Sequence, residues 1–408
     1  MSAASAPAPV DVAIIGGGMV GASLAAALAG SRRRVLLVEG VSVDTAAQPS
    51  FDERTTALGN ASRRIYEGLA LWPELQGAAA AIRTIHVSDA GRFGFARLNA
   101  QEQGVEAFGY VIANRHLGRT LWQRLSSAAN LTLRVPARLS ALEIGAAGAA
   151  LEVTTAGRCE RFAAQLVVAA DGAHSQVRAA AGIEAETLEY GQVAVVANVA
   201  SDAPHSGVAY ERFTPAGPLA VLPLSDGARA VIWACEPERA RELLSLEERD
   251  YLAQLQAQFG WRAGRFVRAG RRNSYPLSLT RASATTGERT VLIGNAAQAL
   301  HPVAGQGFNL GLRDAAMLAE LLAADGDAGA GALLERFAAW RARDRAGVVA
   351  FTDGLIRLFG SRRAPLGVLR NLGLLLFDLT PPAKSALARV SGGFAGPAPR
   401  LARGLPLS

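Results

Sequence analysis

The chain has 408 residues, of which half are hydrophobic and 19% are charged, and its formal net charge is +7. This composition excludes a largely disordered chain, and the length is too great for one small compact domain, so two closely joined domains are expected. The basic balance would suit nucleic acid, anionic lipid or a phosphate-bearing cofactor. Nucleic acid is disfavoured because the arginines are scattered and form no recognisable binding module.

The first elements in chain order form a βαβ unit. Residues 10–15 are a short apolar run that ends in glycines, which predicts a buried strand. An alanine- and leucine-rich helix is predicted over 19–29, and a second strand over 34–38, directly before Glu39. Two strands of a parallel sheet joined by a helix are the arrangement that this pattern indicates.

The middle of the chain leaves that pattern. A helix is predicted over 113–129 and a buried strand over 165–170. Short apolar runs separated by Gly, Pro and Asp then predict an antiparallel sheet. These runs are 193–199, 208–213, 219–222 and 228–234. A helix over 243–259, a strand over 290–293 and a helix over 307–323 follow.

The predicted fold class is therefore α/β, with a Rossmann-like nucleotide-binding domain assembled from both ends of the chain. We expect this domain to comprise 10–185 and 275–345, with the antiparallel sheet of 186–274 inserted as a substrate domain. Residues 346–408 are predicted to be a C-terminal helical segment, since 351–379 is apolar with arginines among the leucines.

Several further features concern location. Cys159 and Cys235 cannot form a disulfide framework and lack metal-ligand spacing, which favours a reducing, cytoplasmic setting. Residues 1–9 lack the basic and apolar segments of a secretory signal. The uncharged stretches 12–31 and 290–312 are long enough to span a bilayer, but their glycines and polar residues predict folded structure, so no transmembrane helix is expected.

The first motif that carries chemistry is the glycine-rich turn after the first strand. Gly16, Gly18 and Gly21 stand at the G-x-G-x-x-G positions. The first glycine permits the tight turn, the second lets the backbone approach a pyrophosphate, and the third lets helix and strand pack closely. The start of the helix offers free N–H groups to the phosphate, and Glu39 follows at the place of the acid that holds ribose hydroxyls. The motif alone does not separate FAD from NAD.

A second motif places Asp171 and Gly172 at the end of the strand predicted over 165–170, with His174, Ser175 and Arg178 after it. A strand that ends in Asp-Gly brings a carboxylate to the carboxyl edge of the sheet, where ligands of such sheets bind. In isolation, the same pattern is equally consistent with a simple turn.

A third motif begins with Gly294 and Asn295 after the strand predicted over 290–293. The asparagine is expected near a phosphate or polyol. Gly305, Gln306 and Gly307 then open a helix, whose N-terminus can face an anion or a polar ring. Two helix starts in one chain suit a long cofactor with a pyrophosphate and a large ring.

Taken together, the three motifs resemble the class A flavoprotein aromatic hydroxylases, and the finer pattern is similar to the ubiquinone-biosynthesis hydroxylases that act on polyprenylated methoxyphenols. The segments that carry this likeness are 51–58, 211–214, 217–220, 294–298 and 300–314. The wider family has Gly-Asp-Ala-Ala-His where this chain has Gly-Asn-Ala-Ala-Gln at 294–298. The Asn/Gln form resembles the ubiquinone subgroup.

The resemblance implies that FAD is the bound cofactor and that NAD(P)H reduces it. It places the ADP part at the first motif, FAD and NAD(P)H at Asp171-Gly172, and the ribityl chain and flavin ring at the third. His301 and Pro302 would line the flavin face. Arg54 would contact the cofactor, with a surface ion pair as the alternative. Asn114 would lie near the pyrophosphate, unless it only caps the following helix.

No metal cluster, Ser-His-Asp set or carboxylate pair stands out in the sequence, so the resemblance leaves the chemistry to the cofactor. The implied reaction is O2-dependent hydroxylation, at ring carbon 1, of a 2-polyprenyl-6-methoxyphenol. Four alternatives stay open: hydroxylation at another carbon, hydroxylation of a small soluble phenol, reduction of polyprenyl double bonds by the flavin, and a non-catalytic flavin-binding member of a biosynthetic assembly. Partners would be the lipid-tailed phenol, other ubiquinone-biosynthesis proteins and, through 351–379, the membrane surface. That segment is equally consistent with packing over the two domains.

Overall fold

The computed structural model describes residues 7–42, 45, 48, 50, 54–92, 94–300, 305–348, the backbone of 349–360, residues 378, 380, 382, 384, 385, 389, 392 and 393, and residues 398–407. In this part of the chain, no helix combines the length and the apolar character needed to cross a bilayer.

The strands, in chain order, are β1 (Ala8–Ile15), β2 (Val35–Val38), β3 (Thr55–Gly59), β4 (Ala79–Ile82), β5 (Thr84–Asp89), β6 (Phe95–Asn99), β7 (Gly109–Ala113), β8 (Leu131–Arg134), β9 (Arg138–Gly145), β10 (Gly148–Thr155), β11 (Arg158–Ala169), β12 (Ala185–Ser201), β13 (Val208–Thr214), β14 (Gly217–Pro223), β15 (Arg229–Cys235), β16 (Phe266–Ala269), β17 (Asn273–Ala282), β18 (Thr286–Gly287), β19 (Thr290–Leu292) and β20 (Gln298–Ala299). The helices are α1 (Met19–Leu28), α2 (Asn60–Gly68), α3 (Trp72–Leu75), α4 (Asn114–Ser126), α5 (Gln176–Ala180), α6 (Pro237–Ser245), α7 (Glu248–Phe259), α8 (Gln306–Leu322) and α9 (Gly331–Gly360).

The first sheet contains the predicted βαβ unit. Its strand order is β18-β19-β11-β1-β2-β8, and β19, β11, β1, β2 and β8 run parallel. The hairpin of β9 and β10 extends it from β11. The inner residues of β1 are fully buried because α1, α4 and α8 cover one face of the sheet and a second apolar cluster covers the other. The carboxyl ends of β1, β2, β11 and β19 therefore meet at one edge.

The second sheet is the predicted antiparallel one, in the order β20-β17-β12-β15-β14-β13-β5-β6, with β16 attached to β12. Its one parallel pair among the described strands is β5 with β13. Strands β5 and β6 thus belong to this sheet, although the sequence assigned them to the nucleotide-binding unit of 10–185. A pairing between strands more than 100 residues apart leaves no signal in the local pattern. The predicted α/β fold class is confirmed.

The two faces of the antiparallel sheet have different neighbours. The outer face, with Val195, Leu219 and Trp233, is buried beneath α6 and α7. The opposite face, which we call the inner face, packs Ala209 and Ala230 against a small sheet of order β3-β7-β4. That small sheet joins the inner face to the cofactor-binding part of the chain.

Two helices differ from the prediction. The single helix expected over 243–259 is broken into α6 and α7, because Leu246 and Glu247 are extended. The guanidinium of Arg272 donates hydrogen bonds to the carbonyls of Leu243 (2.9 Å) and Leu246 (2.6 Å), so a distant side chain satisfies the end of α6. At the C-terminus, α9 continues without a break through the predicted boundary at 346, and residues 361–377 lie outside the described residues.

Candidate cofactor site and the facing sheet

The glycine turn between β1 and α1 has the backbone shape that its sequence predicts. Gly16 has a φ of +102°, and a Cβ there would collide with the carbonyl of Ala170. A Cβ on Gly21 would collide with the Gly16 carbonyl, so this glycine permits the close packing of helix on strand. A Cβ on Gly18 would lie 2.8 Å from the hydroxyl of Ser50. Among the described residues no side chain caps α1, which leaves its first N–H groups to an anion.

Glu39 follows β2 and turns its carboxylate towards the glycine turn. One carboxylate oxygen accepts a hydrogen bond from the Gly17 N–H at 2.7 Å, and the other accepts from the Val41 N–H at 2.9 Å and from the Gln48 amide at 3.3 Å. A carboxylate offers about four lone-pair directions, so one remains for a ribose hydroxyl.

Asp171 lies beyond the end of β11, at the same edge of the sheet. Its Oδ2 accepts hydrogen bonds from the N–H groups of Gln176 (2.8 Å) and Val177 (3.2 Å), at the start of α5. Its Oδ1 is buried and accepts no hydrogen bond from any described residue. A buried carboxylate oxygen without a donor is costly, so this atom suits a hydroxyl or N–H group of a bound molecule. Gly172 has a φ of +86°.

The second and third motifs are joined by Arg178, to which the sequence assigned no role. Its guanidinium donates to the carbonyl of Ala296 at 3.0 Å and to that of Ala173 at 2.8 Å. The same residue closes the first turn of α5, where its N–H donates to Ser175 Oγ at 2.9 Å. Arg178 therefore fixes the loop that carries Asn295 against the loop that carries Asp171.

The third motif turns at Gly294, which has a φ of +58° and approaches Val20 of α1 so closely that a Cβ would lie 3.1 Å from it. The Asn295 side chain is exposed at this turn. Gln298 behind it is buried, and its amide donates to Asp314 Oδ2 at 3.1 Å while its carbonyl accepts from Arg345. One amide thus supplies both a donor and an acceptor, which gives a structural role to the Gln of the Gly-Asn-Ala-Ala-Gln form.

A buried charge network supports this loop from α8 and α9. Asp314 accepts from Arg341 at 2.7 Å, and Asp344 accepts from Arg313 at 2.7 Å and from Arg341 at 2.5 Å. Burial opposes the ionised form of Asp344, but the guanidinium groups of Arg313 and Arg341 outweigh it, so its pKa is lowered. Asp314 also accepts from the Gly294 N–H at 3.2 Å, which ties the network to the turn itself.

The second helix start is that of α8. Gly305 has a φ of +60°, and a Cβ there would lie 3.3 Å from the Cβ of Ala57 in β3. Gln306 and Gly307 form the first turn, and the N-cap residue, Gly305, has no side chain with which to cap it. His301 and Pro302, predicted to line the flavin face, lie outside the described residues.

Arg54 and Asn114 meet beside the small sheet. The Asn114 N–H donates to the Arg54 carbonyl at 2.8 Å, and the Asn114 side-chain oxygen accepts from the Thr56 hydroxyl at 2.7 Å. Asn114 is buried and is the first residue of α4, directly after Ala113 at the N-cap position. Its role at the cofactor and the capping alternative both stay predictions. The guanidinium of Arg54 lies 4.5 Å from the ring centre of Tyr275 on the inner face.

The glycine turn with its acid, the buried Asp171 oxygen and the second helix start define a protein that binds a long dinucleotide cofactor beside an apolar sheet face. Residues 9–352 match the family model described as FAD binding domain. The chain is 38% identical to Ubiquinone hydroxylase UbiL of Rhodospirillum rubrum over 99% of this chain and 95% of that protein. It is 32% identical to the 3-demethoxyubiquinol 3-hydroxylase of Escherichia coli, over 90% of this chain and 94% of that protein.

The chain belongs to the FAD-dependent aromatic hydroxylases, within the ubiquinone hydroxylase family, and FAD is the cofactor that its site fits. The fold agrees with that of p-nitrophenol 4-monooxygenase PnpA from Pseudomonas putida DLL-E4, with a TM-score of 0.79 at 19% identity over 95% of this chain and 99% of the other. The predicted family, fold class, FAD cofactor and enzyme class are confirmed. The individual site residues stay predictions at the positions described above.

Proposed function

We propose that this enzyme hydroxylates the ring of a polyprenylated phenol in ubiquinone biosynthesis, with NAD(P)H as reductant and O2 as the source of the oxygen atom. The observation that carries the proposal is the 38% identity to a ubiquinone hydroxylase along essentially the whole chain. The three cofactor motifs and the inner face beside them support it.

The residues divide into those that hold the cofactor and those that face the substrate. Bound FAD would supply electron transfer from NAD(P)H and activation of O2. The first turn of α1 and Glu39 would hold the ADP part, and Asp171, Asn295 and the start of α8 the ribityl chain and ring. The small sheet and the inner face would exclude water and orient the phenol ring.

Two ring positions compete. The motif likeness favours carbon 1 of a 2-polyprenyl-6-methoxyphenol. The relative from Escherichia coli, named 3-demethoxyubiquinol 3-hydroxylase, favours carbon 3 of a demethoxyubiquinol. Both substrates share the electron-rich ring and the lipid tail.

Mass analysis of quinone intermediates in aerobic bacteria that lack this protein separates these positions. Accumulated polyprenyl-methoxyphenol, restored to ubiquinone by the gene in trans, indicates carbon 1, and accumulated demethoxyubiquinol indicates carbon 3. Normal ubiquinone without either intermediate, in a strain that has no second hydroxylase for these steps, contradicts the proposal. If purified protein retained FAD without oxidising NAD(P)H in the presence of these phenols, the non-catalytic alternative would replace it.

We also propose that the enzyme works in the cytoplasm at the inner face of the membrane, where its lipid-tailed substrate and other ubiquinone-biosynthesis proteins would be met. Residues 362–408 hold seven of the chain's Lys and Arg residues and one of its Asp and Glu residues, so they carry +6 of the formal net charge of +7. A concentrated positive charge favours contact with anionic lipid. Truncation after Ser361 should abolish sedimentation with anionic liposomes, and unchanged binding would contradict this placement.

A further inference from the structure

One row of side chains crosses five strands on the inner face of the antiparallel sheet. The register places Val87 opposite Glu211, Glu211 opposite Ala220, Ala220 opposite Ile232, and Ile232 opposite Val196. All five side chains are partly buried, and the four other than Glu211 are those of Val, Ile and Ala. Among the described inner-face positions of β13, β14, β15 and the part of β12 that pairs with β15, Glu211 is the ionisable one. These positions are 194, 196, 198, 209, 211, 213, 218, 220, 222, 230, 232 and 234.

This row faces the space next to the cofactor loops. Ile232 packs in the apolar cluster that contains Ala57 of the small sheet, and Ala57 in turn lies under Gly305 at the start of α8. Two strand spacings separate Glu211 from Ile232, which is about 10 Å. The carboxylate therefore stands across a short apolar span from the loop where the flavin ring is expected.

The charged groups near Glu211 are engaged elsewhere or lie to the side. Asp89 of β5 is opposite Phe213, one row along, and Arg92 approaches it at 3.7 Å. Arg212 points to the outer face and donates to the carbonyl of Gln258 at 3.1 Å. Strand β4 is apolar.

Helix α9 also packs against β13. Its Arg345 donates to Gln298, and by sequence the helix carries Asp353 and Arg357 further on.

The protonation of Glu211 fits a role in proton transfer. Burial raises its pKa to about 7. A group that titrates close to the working pH is an efficient proton acceptor, since it is ionised in a large fraction of molecules and still holds a proton well enough to take one.

We propose that Glu211 is a catalytic residue that accepts the hydroxyl proton of the substrate phenol, so that the ring meets the cofactor as a phenolate. This inference rests on the proposed function. The phenol O–H bond breaks, its electron pair stays on the phenol oxygen and spreads to the ortho and para ring carbons, and the proton forms an O–H bond on the Glu211 carboxylate. One oxygen atom of O2 goes to the ring carbon, and the ring C–H proton goes to the other oxygen atom, which leaves as water at the expense of the hydride from NAD(P)H. Glu211 then returns its proton to the phenolate oxygen.

The experiment compares purified FAD-loaded wild type, Glu211→Gln, Glu211→Asp and the control Glu186→Gln, which changes an exposed glutamate of the same sheet. The probes are a short-tailed 2-farnesyl-6-methoxyphenol and a ring-fluorinated analogue whose phenol is more acidic. Product formed and NADPH consumed are measured across pH, together with bound FAD from its absorbance and bound phenolate from ultraviolet difference spectra.

We expect Glu211→Gln to keep FAD and to lose about 100-fold in kcat/KM near neutral pH, the usual size of a general-base effect. The loss of kcat/KM should shrink as the pH approaches the phenol's own pKa of about 10, because the phenol then ionises without a base. For the same reason the loss should be smaller for the more acidic fluorinated phenol. The Gln variant should show no bound phenolate at neutral pH. Glu211→Asp, which keeps a carboxylate, should retain the wild-type shape of the pH profile, and Glu186→Gln should match wild type.

A Gln variant that hydroxylates both phenols at the wild-type rate overturns the role of Glu211 and leaves the proposed function intact. A loss of kcat/KM that is the same at every pH and for both phenols also contradicts the role of Glu211 as proton acceptor. If the Gln variant loses FAD, the Asp variant decides, because a profile without the wild-type inflection contradicts the proposal. If FAD-loaded wild type itself forms no hydroxylated product from either phenol, the proposed function fails and the inference with it.

Discussion

At the scale of single residues, the unpaired oxygen of Asp171 is the most specific sign of a bound molecule. Asp171→Asn keeps an oxygen for the N–H groups of Gln176 and Val177 and turns the other atom from an acceptor into a donor. We expect FAD to bind about tenfold more weakly or worse, because one hydrogen bond to a charged group is lost, while the apoprotein keeps its melting temperature. Flavin fluorescence titration measures the affinity, with the exposed Asp325→Asn as control. Equal affinities would show that Oδ1 does not face the cofactor.

Glu211 also has a predictable effect on stability. Its folded pKa of about 7 lies above the unfolded value of about 4.3, so the native state holds this proton where the unfolded state has released it. The stabilisation is complete below the unfolded pKa, and it is lost as the pH rises through the folded pKa. Glu211→Gln should therefore raise Tm relative to wild type at about pH 8 and leave it nearly unchanged at about pH 4.

Thermal unfolding of the FAD-free proteins, with Glu186→Gln alongside, checks this expectation. A Tm difference between wild type and Glu211→Gln that does not vary with pH would mean that Glu211 is solvated in the folded protein.

At the scale of residues, the sequence predicted the backbone geometry and the packing of the glycine turn, because both are set by local spacing. Gly16 and Gly21 have the backbone conformation and the close packing that their spacing requires. Glu39, at the end of the next strand, accepts a hydrogen bond from the Gly17 N–H in that turn. The sequence analysis did not predict the structural role of Gln298 or the position of Glu211 on the inner face. Gln298 depends on Arg345, 47 residues away, and Glu211 is placed by a strand pairing with β5, so neither has a local signal.

At the scale of elements, α8 and α9 hold the third cofactor motif through buried charges. Asp314 and Arg341 have side-chain exposures of 2% and 1%, and their ion pair lies under the Gly294 turn. Asp314→Asn leaves the guanidinium of Arg341 facing a neutral amide, and breaking a buried pair in this way costs roughly 3–5 kcal/mol. We expect a fall of that size in the free energy of unfolding and a weaker hold on FAD.

Urea denaturation of apoprotein and FAD-loaded protein measures both effects, with Asp325→Asn as an exposed control. A fall of less than about 1 kcal/mol in the free energy of unfolding is the size expected for a solvent-exposed ion pair, and it would contradict a buried charge network.

The elements themselves were largely predictable because hydrophobic runs and glycine turns are local patterns. The break between α6 and α7 was not, since it depends on Arg272 reaching back to the carbonyls of Leu243 and Leu246. Sheet membership of β5 and β6 was missed for the same reason as Glu211. Pairing between strands that are distant in the sequence depends on the packing of both strands in the folded protein, so the sequence of either strand alone does not predict it.

At the scale of the whole molecule, the uneven charge makes membrane contact testable without removing any segment. Arg362, Arg363 and Arg370 lie in the basic C-terminal stretch, and replacing all three by Gln lowers the net charge by three. A juxtamembrane arginine contributes about 1 kcal/mol of attraction to an anionic surface, so vesicle binding should weaken by roughly 100-fold. Added salt should weaken wild-type binding in the same direction.

The matched control neutralises Arg32, Arg241 and Arg249, which are highly exposed and lie outside the C-terminal stretch. Sedimentation with vesicles of phosphatidylcholine with and without phosphatidylglycerol compares the two triple variants at equal net charge. Weaker binding of the C-terminal variant alone assigns the contact to that stretch. Equal weakening of both variants means that the overall charge drives the attraction, and it contradicts the proposal that the C-terminal stretch makes the membrane contact.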